Sequence, residues 1–335
     1  MEDLHKHRDL KTKLLSLLYR TEGFLSGEEV SGALGITRAA IWKQIKQLRE
    51  EGFAIESRPR RGYRLLKMPD RLYPHALLAG LKTSSLGQRI EYYPSVDSTN
   101  TAARDLAEKG APEGTVVVSE EQTSGKGRRG RGWVSPYGKG IWTSIILRPS
   151  NMEPQAAPQL TLLAAVAASE AIKESTRVKA EIKWPNDILI SGRKVCGILT
   201  EVKAELDLLH YVVIGCGINV NQQKSDFPPE LHSTATSLLM ETGENVTRLL
   251  LWQKLLENLE KLYHDMLAEG FKNIRLLWRK NSVTLGRQVE VTTPNGTCRG
   301  IARDIDMEGA LLVEAENGQT HRFIAGEVTL RPKNN

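Results

Sequence analysis

Gln122-Thr-Ser-Gly-Lys-Gly-Arg-Arg-Gly-Arg-Gly-Trp133 places four cations among closely spaced glycines. The segment matches the G-x-G-x-x-G pattern of dinucleotide-binding folds, and it follows an apparent strand over residues 115–119. In those folds the pattern opens a helix, whereas here another glycine-rich turn leads into a strand-like run over 141–147. The segment also lacks the closing Gly-Lys-Ser/Thr of a P-loop. It is therefore predicted to be a loop between strands, which argues against a dinucleotide-binding fold.

The composition of this loop indicates close approach to an anion. Arginine side chains carry planar donor forks that suit phosphate oxygens, and glycines allow a ligand to lie against the backbone. The alternative is a solvated basic loop or a nucleic-acid-binding tail. A position between two strands of a globular region favours the anion site.

Length and composition indicate an ordinary globular protein. The chain has 335 residues with 40% hydrophobic content, enough for a substantial core and two or three domains. Its three cysteines (Cys196, Cys216 and Cys298) are too few and too far apart for a disulfide framework or a zinc site. The N-terminus lacks an apolar signal core, and the apolar run over 160–169 is too short to cross a bilayer. We expect a cytoplasmic protein without membrane association.

Residues 1–66 predict a winged helix-turn-helix domain. Ser26 and Glu29 have capping-box spacing at the start of a second helix, and Gly35 provides the turn after it. A third helix over 37–51 has an apolar inner face and a basic outer face. Two strand-like runs then flank Ser57-Arg-Pro-Arg-Arg61, which is typical of a basic wing.

The outer face of the third helix and the wing are predicted to contact DNA. Residues 1–66 contain 13 lysines and arginines against 9 aspartates and glutamates, so most of the chain's net charge of +6 lies here. A helix-turn-helix used only for protein contacts, with a solvated basic face, is the alternative. The predicted DNA-contacting residues are Arg38, Trp42, Lys43, Lys46, Arg58, Arg60 and Arg61.

Three further segments complete the predicted α+β organisation. Residues 67–82 are expected to be a linker and the start of the central domain. In 83–280, strand-like runs come as hairpins between helices, which favours a mixed sheet over a doubly wound parallel one. In 281–335, short strands alternate with tight-turn dipeptides such as Asn295-Gly296, which predicts a small SH3-like β-barrel.

Four clusters in the central segment carry a family resemblance. They are Asp97–Asn100, Gln122–Trp133, Lys183–Asp187 together with Gly192–Gly197, and Gly215–Asn219. In this order they closely resemble the clusters of biotin protein ligases. With the two flanking domains the resemblance covers the whole chain. It implies a central catalytic domain of the class II synthetase and biotin ligase type, in the bifunctional form that also represses biotin biosynthesis and transport genes.

The resemblance implies a two-step ligase reaction. Biotin and ATP are joined as biotinyl-5′-adenylate with release of pyrophosphate, and the biotinyl group then passes to a lysine of a biotin carboxyl carrier protein of a biotin-dependent carboxylase. Attack of a carboxylate on the α-phosphate brings two anions together, so such a site needs fixed cations and Mg²⁺. The resemblance places Lys183 beside the α-phosphate and Asp187 as the metal ligand.

Other roles are implied residue by residue. Lys183, Asp187, Arg128 and Arg131 are the expected catalytic residues. The expected biotin-binding residues are Ser98, Thr99, Asn100, Gln122, Gly125, Lys126, Gly127, Arg128, Lys194 and Gly197. The expected ATP- or adenylate-binding residues are Arg128, Arg129, Arg131, Trp133, Lys183 and Asn219.

Structural alternatives remain for several of these residues. Ser98, Thr99 and Asn100 also suit the cap of the following helix, residues 183–187 suit a turn with Trp184 in the core, and Gly215-Cys-Gly217 suits a strand bend.

Two other functions also remain open. A non-catalytic biotin-sensing transcription factor would not need Lys183 and Asp187. A lipoate-type ligase would share the chemistry, but the neutral polar set and the DNA-binding module favour biotin. A single winged helix binds DNA with limited affinity, so we expect a ligand-promoted homodimer on an inverted-repeat operator.

Overall fold

A computed structural model describes residues 2–149, 152–205, 208–294 and 296–331. The chain divides into two compact units, one ending at Lys82 and the other beginning at Thr83. Within the described ranges, every helix is too short or too polar to cross a bilayer.

The first unit has the predicted winged-helix order. Its elements are α1 (Glu2–Arg20), α2 (Gly27–Leu34), α3 (Arg38–Glu50), β1 (Ala54–Arg58), β2 (Gly62–Lys67) and α4 (Pro74–Gly80). The predicted capping box is present, since Glu29 N donates to Ser26 Oγ at 3.1 Å and Ser26 N donates to Glu29 Oε2 at 2.7 Å. Gly35 ends α2 with φ 65°. Antiparallel pairing of β1 with β2 forms the wing.

Helix α4 belongs to the first unit. It lies in the segment expected to hold a linker, and it packs against α1. Pro74 at its first position and the buried residues Ala76, Leu77 and Ala79 are the local reasons for a helix here. Its length of 7 residues gives little helical periodicity in the sequence.

Within the described ranges, a seven-stranded mixed sheet forms the centre of the second unit, as predicted. Neighbouring strands lie in the order β3-β4-β5-β9-β8-β7-β6, with β3 and β4 parallel and the other pairs antiparallel. The strands are β3 (Arg89–Tyr93), β4 (Thr115–Ser119), β5 (Gly140–Leu147), β6 (Glu181–Lys183), β7 (Asp187–Ile190), β8 (Arg193–Glu205) and β9 (Leu208–Asn219).

Helices cover both faces of this sheet. Within the described ranges, the helices of this unit are α5 (Thr99–Glu108), α6 (Ala157–Thr176), α7 (Leu238–Thr242), α8 (Arg248–Glu269) and α9 (Lys272–Asn281). Helix α5 packs near Ile146 of β5, whereas Trp252 of α8 donates from its indole nitrogen to Thr143 Oγ1 at 3.2 Å. Because residues three apart on a strand point to opposite faces, α5 and α8 lie on opposite sides. Helix α6 packs against α8 and α9.

The C-terminal strands form a second, antiparallel sheet. They are β10 (Gln288–Thr293), β11 (Gly296–Ile305), β12 (Leu311–Ala315), β13 (Thr320–Phe323) and β14 (Glu327–Leu330), in the order β13-β12-β11-β10-β14. The sequence predicted the first four strands but not β14. Trp184 connects this sheet to the central one, since its backbone N donates to Thr284 Oγ1 at 2.9 Å and its indole nitrogen donates to Gly309 O at 3.1 Å.

Glu260 of α8 ties the beginning of the second unit to its helical layer. Its carboxylate accepts hydrogen bonds from the backbone amides of Ser84, Ser85 and Leu86 and from both serine hydroxyls, at 2.7–3.1 Å. Burial alone would raise the pKa of this carboxyl group, but the amide hydrogen bonds outweigh it and lower the pKa to about 2. The ionised form of Glu260 therefore stabilises the fold.

Glu260→Gln should remove a pH-dependent part of the stability. Because the folded-state pKa is depressed, the contribution is complete above pH 4.5 and is lost as the pH falls toward 2. At neutral pH it amounts to at most about 3 kcal/mol. Urea unfolding from neutral to acid pH measures it. Glu257→Gln is the control, since that carboxylate accepts from the lysine side chain of Lys254. Equal losses in both variants at neutral pH would contradict this role for Glu260.

Candidate active site and nucleic-acid interface

A cavity of about 490 Å³ lies in the second unit. Its walls come from the start of α5, the loop over 122–133, strands β7 to β9, the segment over 227–235 and the start of β14. The cavity therefore brings together residues that are far apart in the sequence. One wall is contributed by the C-terminal sheet.

Three glycines shape the sheet surface of this cavity. Gly215 and Gly217 lie two residues apart on β9, and Gly197 of β8 is the register partner of Gly217, so the three share one face. A Cβ on Gly217 would lie 2.5 Å from Trp133 Nε1, and one on Gly197 would lie 2.9 Å from Trp133 Cζ3. The bare backbone thus lets the Trp133 indole lie directly against the strands.

Gly215 likewise leaves room for the side chain of Asn100. A Cβ there would overlap Asn100 Oδ1 and lie 2.8 Å from its Cγ. The Asn100 amide donates to Glu201 Oε2 at 2.8 Å and to Leu199 O at 3.2 Å, and its oxygen accepts from Ser144 Oγ at 2.7 Å. Asn100 therefore fixes the start of α5 on the sheet, and its polar atoms are already bonded to the protein.

The other neutral polar residues form a connected set at the same end of the cavity. Gln122 Oε1 accepts from Thr99 N at 2.8 Å and from Thr99 Oγ1 at 3.1 Å, while its amide nitrogen donates to Ser135 Oγ at 2.9 Å. Ser98 occupies the N-cap position of α5 without a side-chain capping hydrogen bond. Its hydroxyl is thus not used as a helix cap, whereas Thr99 and Gln122 hold each other in place.

The three arginines of the loop contact the C-terminal sheet. Arg131 Nη2 donates to both carboxylate oxygens of Glu327 at 2.7 and 2.8 Å, and Arg129 Nη1 lies 3.6 Å from the same carboxylate. Arg128 donates to Asn186 Oδ1 at 2.8 Å and to Gly326 O at 3.3 Å. Hydrogen bonding to Arg131 lowers the pKa of Glu327. The start of β14 is therefore the anchor of the loop.

Glu327→Gln should make the loop easier to cleave with trypsin in the ligand-free protein. Removing the charge weakens both arginine contacts, and exposed ion pairs of this kind change local opening by about two- to fivefold. Mass spectrometry of timed digests measures cleavage after Lys126, Arg128, Arg129 and Arg131. Glu290→Gln is the matched control, because Glu290 binds Arg299 and Arg331 on the C-terminal sheet. Equal cleavage rates in the two variants would contradict the anchoring role.

Lys183, Asp187 and Lys194 converge on three neighbouring strands. Lys183 and Asp187 are register partners of β6 and β7, and Lys194 Nζ of β8 lies 2.7 Å from Asp187 Oδ1. The same ammonium lies 5.1 Å from the centre of the Trp133 ring. Burial lowers the pKa of Lys183, while the Asp187 charge opposes that shift. A partly buried ammonium next to a glycine-lined cavity suits stabilisation of an anion.

Two carboxylates of the cavity are candidate ligands for magnesium. Among the described residues, no group of three or more His, Cys, Asp and Glu side chains converges to hold a metal ion. Asp187 and Glu327 line the cavity, and both carboxylates are paired with cations. Mg²⁺ prefers a few carboxylates together with substrate phosphates. These residues therefore do not form a protein-built metal cage, and metal binding by Asp187 stays a prediction.

The first unit presents a separate basic face. Ile41, Ile45 and Leu48 of α3 are buried as predicted, whereas Arg38, Trp42, Lys43 and Lys46 are exposed. Trp42 is 58% exposed, and Lys46 Nζ lies 5.8 Å from the centre of its ring. In the wing, Arg58, Arg60 and Arg61 are exposed at the hairpin tip. This exposed face suits contact with nucleic acid.

Comparison with known proteins finds matching families for all three regions. Residues 11–64 match the HTH domain family, 92–219 the Biotin/lipoate A/B protein ligase family, and 284–331 the Biotin protein ligase C terminal domain. A bifunctional ligase/repressor BirA of Bacillus subtilis (strain 168) is 48% identical over 88% of this chain and 90% of its own length. The chain belongs to the biotin protein ligase family.

Two further relatives extend this result. A bifunctional ligase/repressor BirA of Escherichia coli (strain K12) is 32% identical over 97% of this chain and 98% of its own length. The solved biotin protein ligase from Aquifex aeolicus in complex with biotin and ATP is 30% identical, with a TM-score of 0.64 over 73% of this chain and 99% of that one. This biotin protein ligase thus has the ligase/repressor domain composition, with an N-terminal helix-turn-helix.

The structure gathers nearly all residues that the sequence assigned to the ligase site. The cavity is lined by Ser98, Thr99, Asn100, Gln122, Lys126, Gly127, Arg128, Arg129, Arg131, Trp133, Lys183, Asp187, Lys194, Gly197 and Asn219. Gly125 lies outside this lining, and a Cβ there would overlap Trp133 O. Asn219 is 3% exposed, and its side chain donates to Thr236 O at 3.0 Å. Gly125 therefore packs against the backbone of its own loop, and Asn219 is held at the end of β9 by Thr236.

Several lining residues of this biotin protein ligase were not found from the sequence. The sequence predicts only a turn position for Asn186, whereas the structure shows that it holds Arg128. Glu327 has no local signal, because it is 196 residues from Arg131. Phe227, Leu231, Thr234 and Ala235 also line the cavity, and the two prolines after Phe227 were the available hint of an ordered segment.

Proposed function

We propose that this chain is an ATP-dependent biotin protein ligase that also represses transcription of biotin biosynthesis and transport genes. The observation that carries the ligase proposal is the convergence of Lys183, Lys194 and the loop arginines on one glycine-lined cavity. Family membership supports the same reaction. The product would be a biotinylated lysine on a biotin carboxyl carrier protein of a biotin-dependent carboxylase.

In the first step, the biotin carboxylate attacks the α-phosphorus of ATP. A carboxylate oxygen–phosphorus bond forms, the bond to the β-phosphate oxygen breaks, and pyrophosphate leaves. Negative charge accumulates on the α-phosphate oxygens, and fixed cations that already point into the cavity lower the barrier. We assign this task to Lys183, together with Arg128 and Arg131, which line the same cavity. Magnesium enters as the counterion of ATP, and Asp187 is the carboxylate nearest to Lys183 for contacting that ion.

In the second step, the ε-amine of the acceptor lysine attacks the acyl carbon of biotinyl-5′-adenylate. A carbon–nitrogen bond forms, AMP leaves with the bonding electron pair, and the amine nitrogen loses a proton. Acyl adenylates react with water, so the cavity must exclude water until the acceptor arrives. Trp133 lies flat on the glycine surface, and we propose that its ring covers the bound adenylate.

Recognition of biotin is assigned to the polar end of the cavity. A ureido ring needs donors and acceptors in a fixed arrangement, and Ser98, Thr99 and Gln122 are neutral residues at that end. The amide of Asn100 is engaged by the protein, so we propose that Asn100 positions Thr99 and Ser98 for biotin. Lys126, Gly127, Lys194 and Gly197 complete the proposed biotin contacts.

For repression, we propose a homodimer that binds an inverted-repeat operator through the exposed face of α3 and the wing. Formation of the adenylate would order the loop over 122–133 and lower the cost of dimerisation. The acceptor protein would compete for the same surface. Free Cys196, Cys216 and Cys298 fit our proposal of a cytoplasmic location.

The alternatives are less compatible with the same residues. A non-catalytic biotin sensor has no need of a buried ammonium and a carboxylate next to the nucleotide. A lipoate-type ligase would share the central family, but the C-terminal family and the curated relatives are those of biotin ligases.

Incubation of the purified protein with biotin, ATP, Mg²⁺ and a carboxyl-carrier domain tests the ligase proposal. Mass spectrometry should show a gain of one biotinyl group on the acceptor, and an unchanged acceptor mass would refute the proposal. Sedimentation with and without biotin plus ATP tests the dimer. An unchanged monomer fraction would remove ligand-promoted dimerisation from the proposal.

A further inference from the structure

Phe24 lies against the wing of the first unit because the next residue, Leu25, is hydrogen-bonded to the wing strand β2. Leu25 and Tyr63 exchange two backbone hydrogen bonds of 2.8 and 2.9 Å, so the segment before α2 adds a short third strand to the hairpin. Gly62 allows this approach, since it has φ 100° and a Cβ there would overlap Leu25 O and lie 2.6 Å from Ser26 Cα. The position of the Phe24 ring is thus set by backbone contacts.

Three guanidinium groups gather on this ring. The Cζ atoms of Arg58, Arg61 and Arg64 lie 5.0, 4.7 and 5.0 Å from its centre. These distances are within the range of cation–π attraction, which favours a cation over an aromatic face. One phenylalanine therefore collects cations from both strands of the hairpin and from its turn.

The cluster has fewer carboxylates than cations. Glu56 accepts from Arg58 Nε at 2.6 Å and from Arg64 Nη2 at 2.8 Å. Within the described residues, Arg61 has no carboxylate partner, and Arg64 Nε has no hydrogen-bond partner. Like charges at such close range repel each other, so the free wing is under electrostatic strain that a bound anion would relieve.

We propose that Phe24, Arg58, Arg61 and Arg64 form a binding site for the phosphodiester backbone of DNA, with Phe24 as its positioning residue. Guanidinium forks bind phosphate oxygens in pairs, and duplex DNA offers about one negative charge per 1.7 Å of its axis. The same unit carries the exposed cations of α3. This inference deepens the proposed repressor function and rests on it.

The test measures binding of a fluorescein-labelled random-sequence DNA duplex by the full chain over a series of KCl concentrations. Phosphate contacts do not require a particular sequence, so the operator need not be known. Phe24→Leu keeps an apolar side chain and the net charge but removes the aromatic face. It should weaken binding by about tenfold and reduce the salt dependence, because the three arginines disperse. Phe24→Tyr keeps the face and should bind as the wild type does.

Folding is checked by thermal unfolding and by acceptor biotinylation, which should match the wild type in both variants. If Phe24→Leu lowers the unfolding temperature, Arg61→Gln is used as the test variant in its place. The slope of the logarithm of the binding constant against the logarithm of the KCl concentration should then fall by about one for each wing. Binding by Phe24→Leu or by this replacement with wild-type affinity and slope would overturn the inference and leave the repressor proposal standing. Weak binding by Phe24→Tyr would also overturn it. Absence of binding to this random duplex by the wild type, measured with and without biotin plus ATP, would also overturn the inference.

Discussion

Lys183→Ala should slow formation of biotinyl-5′-adenylate by a factor of about 100 to 1,000. Lys183 is a partly buried cation that faces Asp187 and lines the cavity beside the loop arginines. Removing it leaves the charge on the α-phosphate oxygens less stabilised at the moment of attack. Pyrophosphate release under single-turnover conditions measures the step directly. The dissociation constant of biotin should change much less than the rate.

Lys179→Ala is the matched control for this prediction. Lys179 lies four residues earlier, with a side chain that is 83% exposed and paired to Glu181 at 2.6 Å. It should keep the wild-type rate. A Lys183→Ala protein that folds normally and also keeps that rate would show that the charge is stabilised elsewhere in the cavity.

The adenylation rate of the wild type should fall at alkaline pH as Lys183 loses its charge, and this fall should be absent in Lys183→Arg. Burial lowers the pKa of Lys183, so its positive charge is lost at a lower pH than that of an exposed lysine. The kcat/KM for adenylation should therefore decline on the alkaline side earlier than an ordinary lysine would require. Lys183→Arg keeps its charge throughout, and its residual activity should lack this decline.

Gly215→Ala should damage both the fold and biotin binding. The new methyl group would overlap Asn100 Oδ1, and the amide would have to leave Ser144 and Glu201. Overpacking together with an unsatisfied buried amide destabilises a protein by about 3 kcal/mol. For a unit of this size the unfolding temperature should fall by about 10 °C. Biotin affinity should fall as well, because Asn100 holds the start of α5.

Gly132→Ala is the steric control, since its Cβ would come no closer than 4.0 Å to Gly125 O. Calorimetry should show nearly the wild-type unfolding temperature for this variant. If Gly215→Ala unfolded at the same temperature as Gly132→Ala, Asn100 would have room to move, and its proposed positioning role would be wrong.

Most of the fold could be predicted because its signals are local. Capping at Ser26, the turn at Gly35 and the loop–strand succession after Trp133 depend on neighbouring residues. Two of the missed elements, α4 and β14, are short, with 7 and 4 residues, and their periodicity is too brief to stand out. Strand β14 is stabilised by pairing with β10, a contact that its own sequence does not reveal.

The sequence predicts which residues line the cavity, but it does not predict which of their polar groups are already hydrogen-bonded within the protein. Motif residues such as Gln122 and Lys183 fall on the cavity because the family pattern fixes their positions. Whether an amide is free to bind a ligand depends on its partners in space, and Asn100 is bonded to residues about 100 positions away. The role of Glu327 is hidden for the same reason.

The contacts of Trp184 and Glu327 limit how small a working ligase can be made. A chain shortened before Val283 would lose the hydrogen-bond acceptors Thr284 and Gly309, and would leave a large indole at an open surface. It would also release Arg129 and Arg131 from the carboxylate that holds them. A reduced version of this protein should therefore be shortened from the N-terminal side, where the helix-turn-helix unit is a separate compact body.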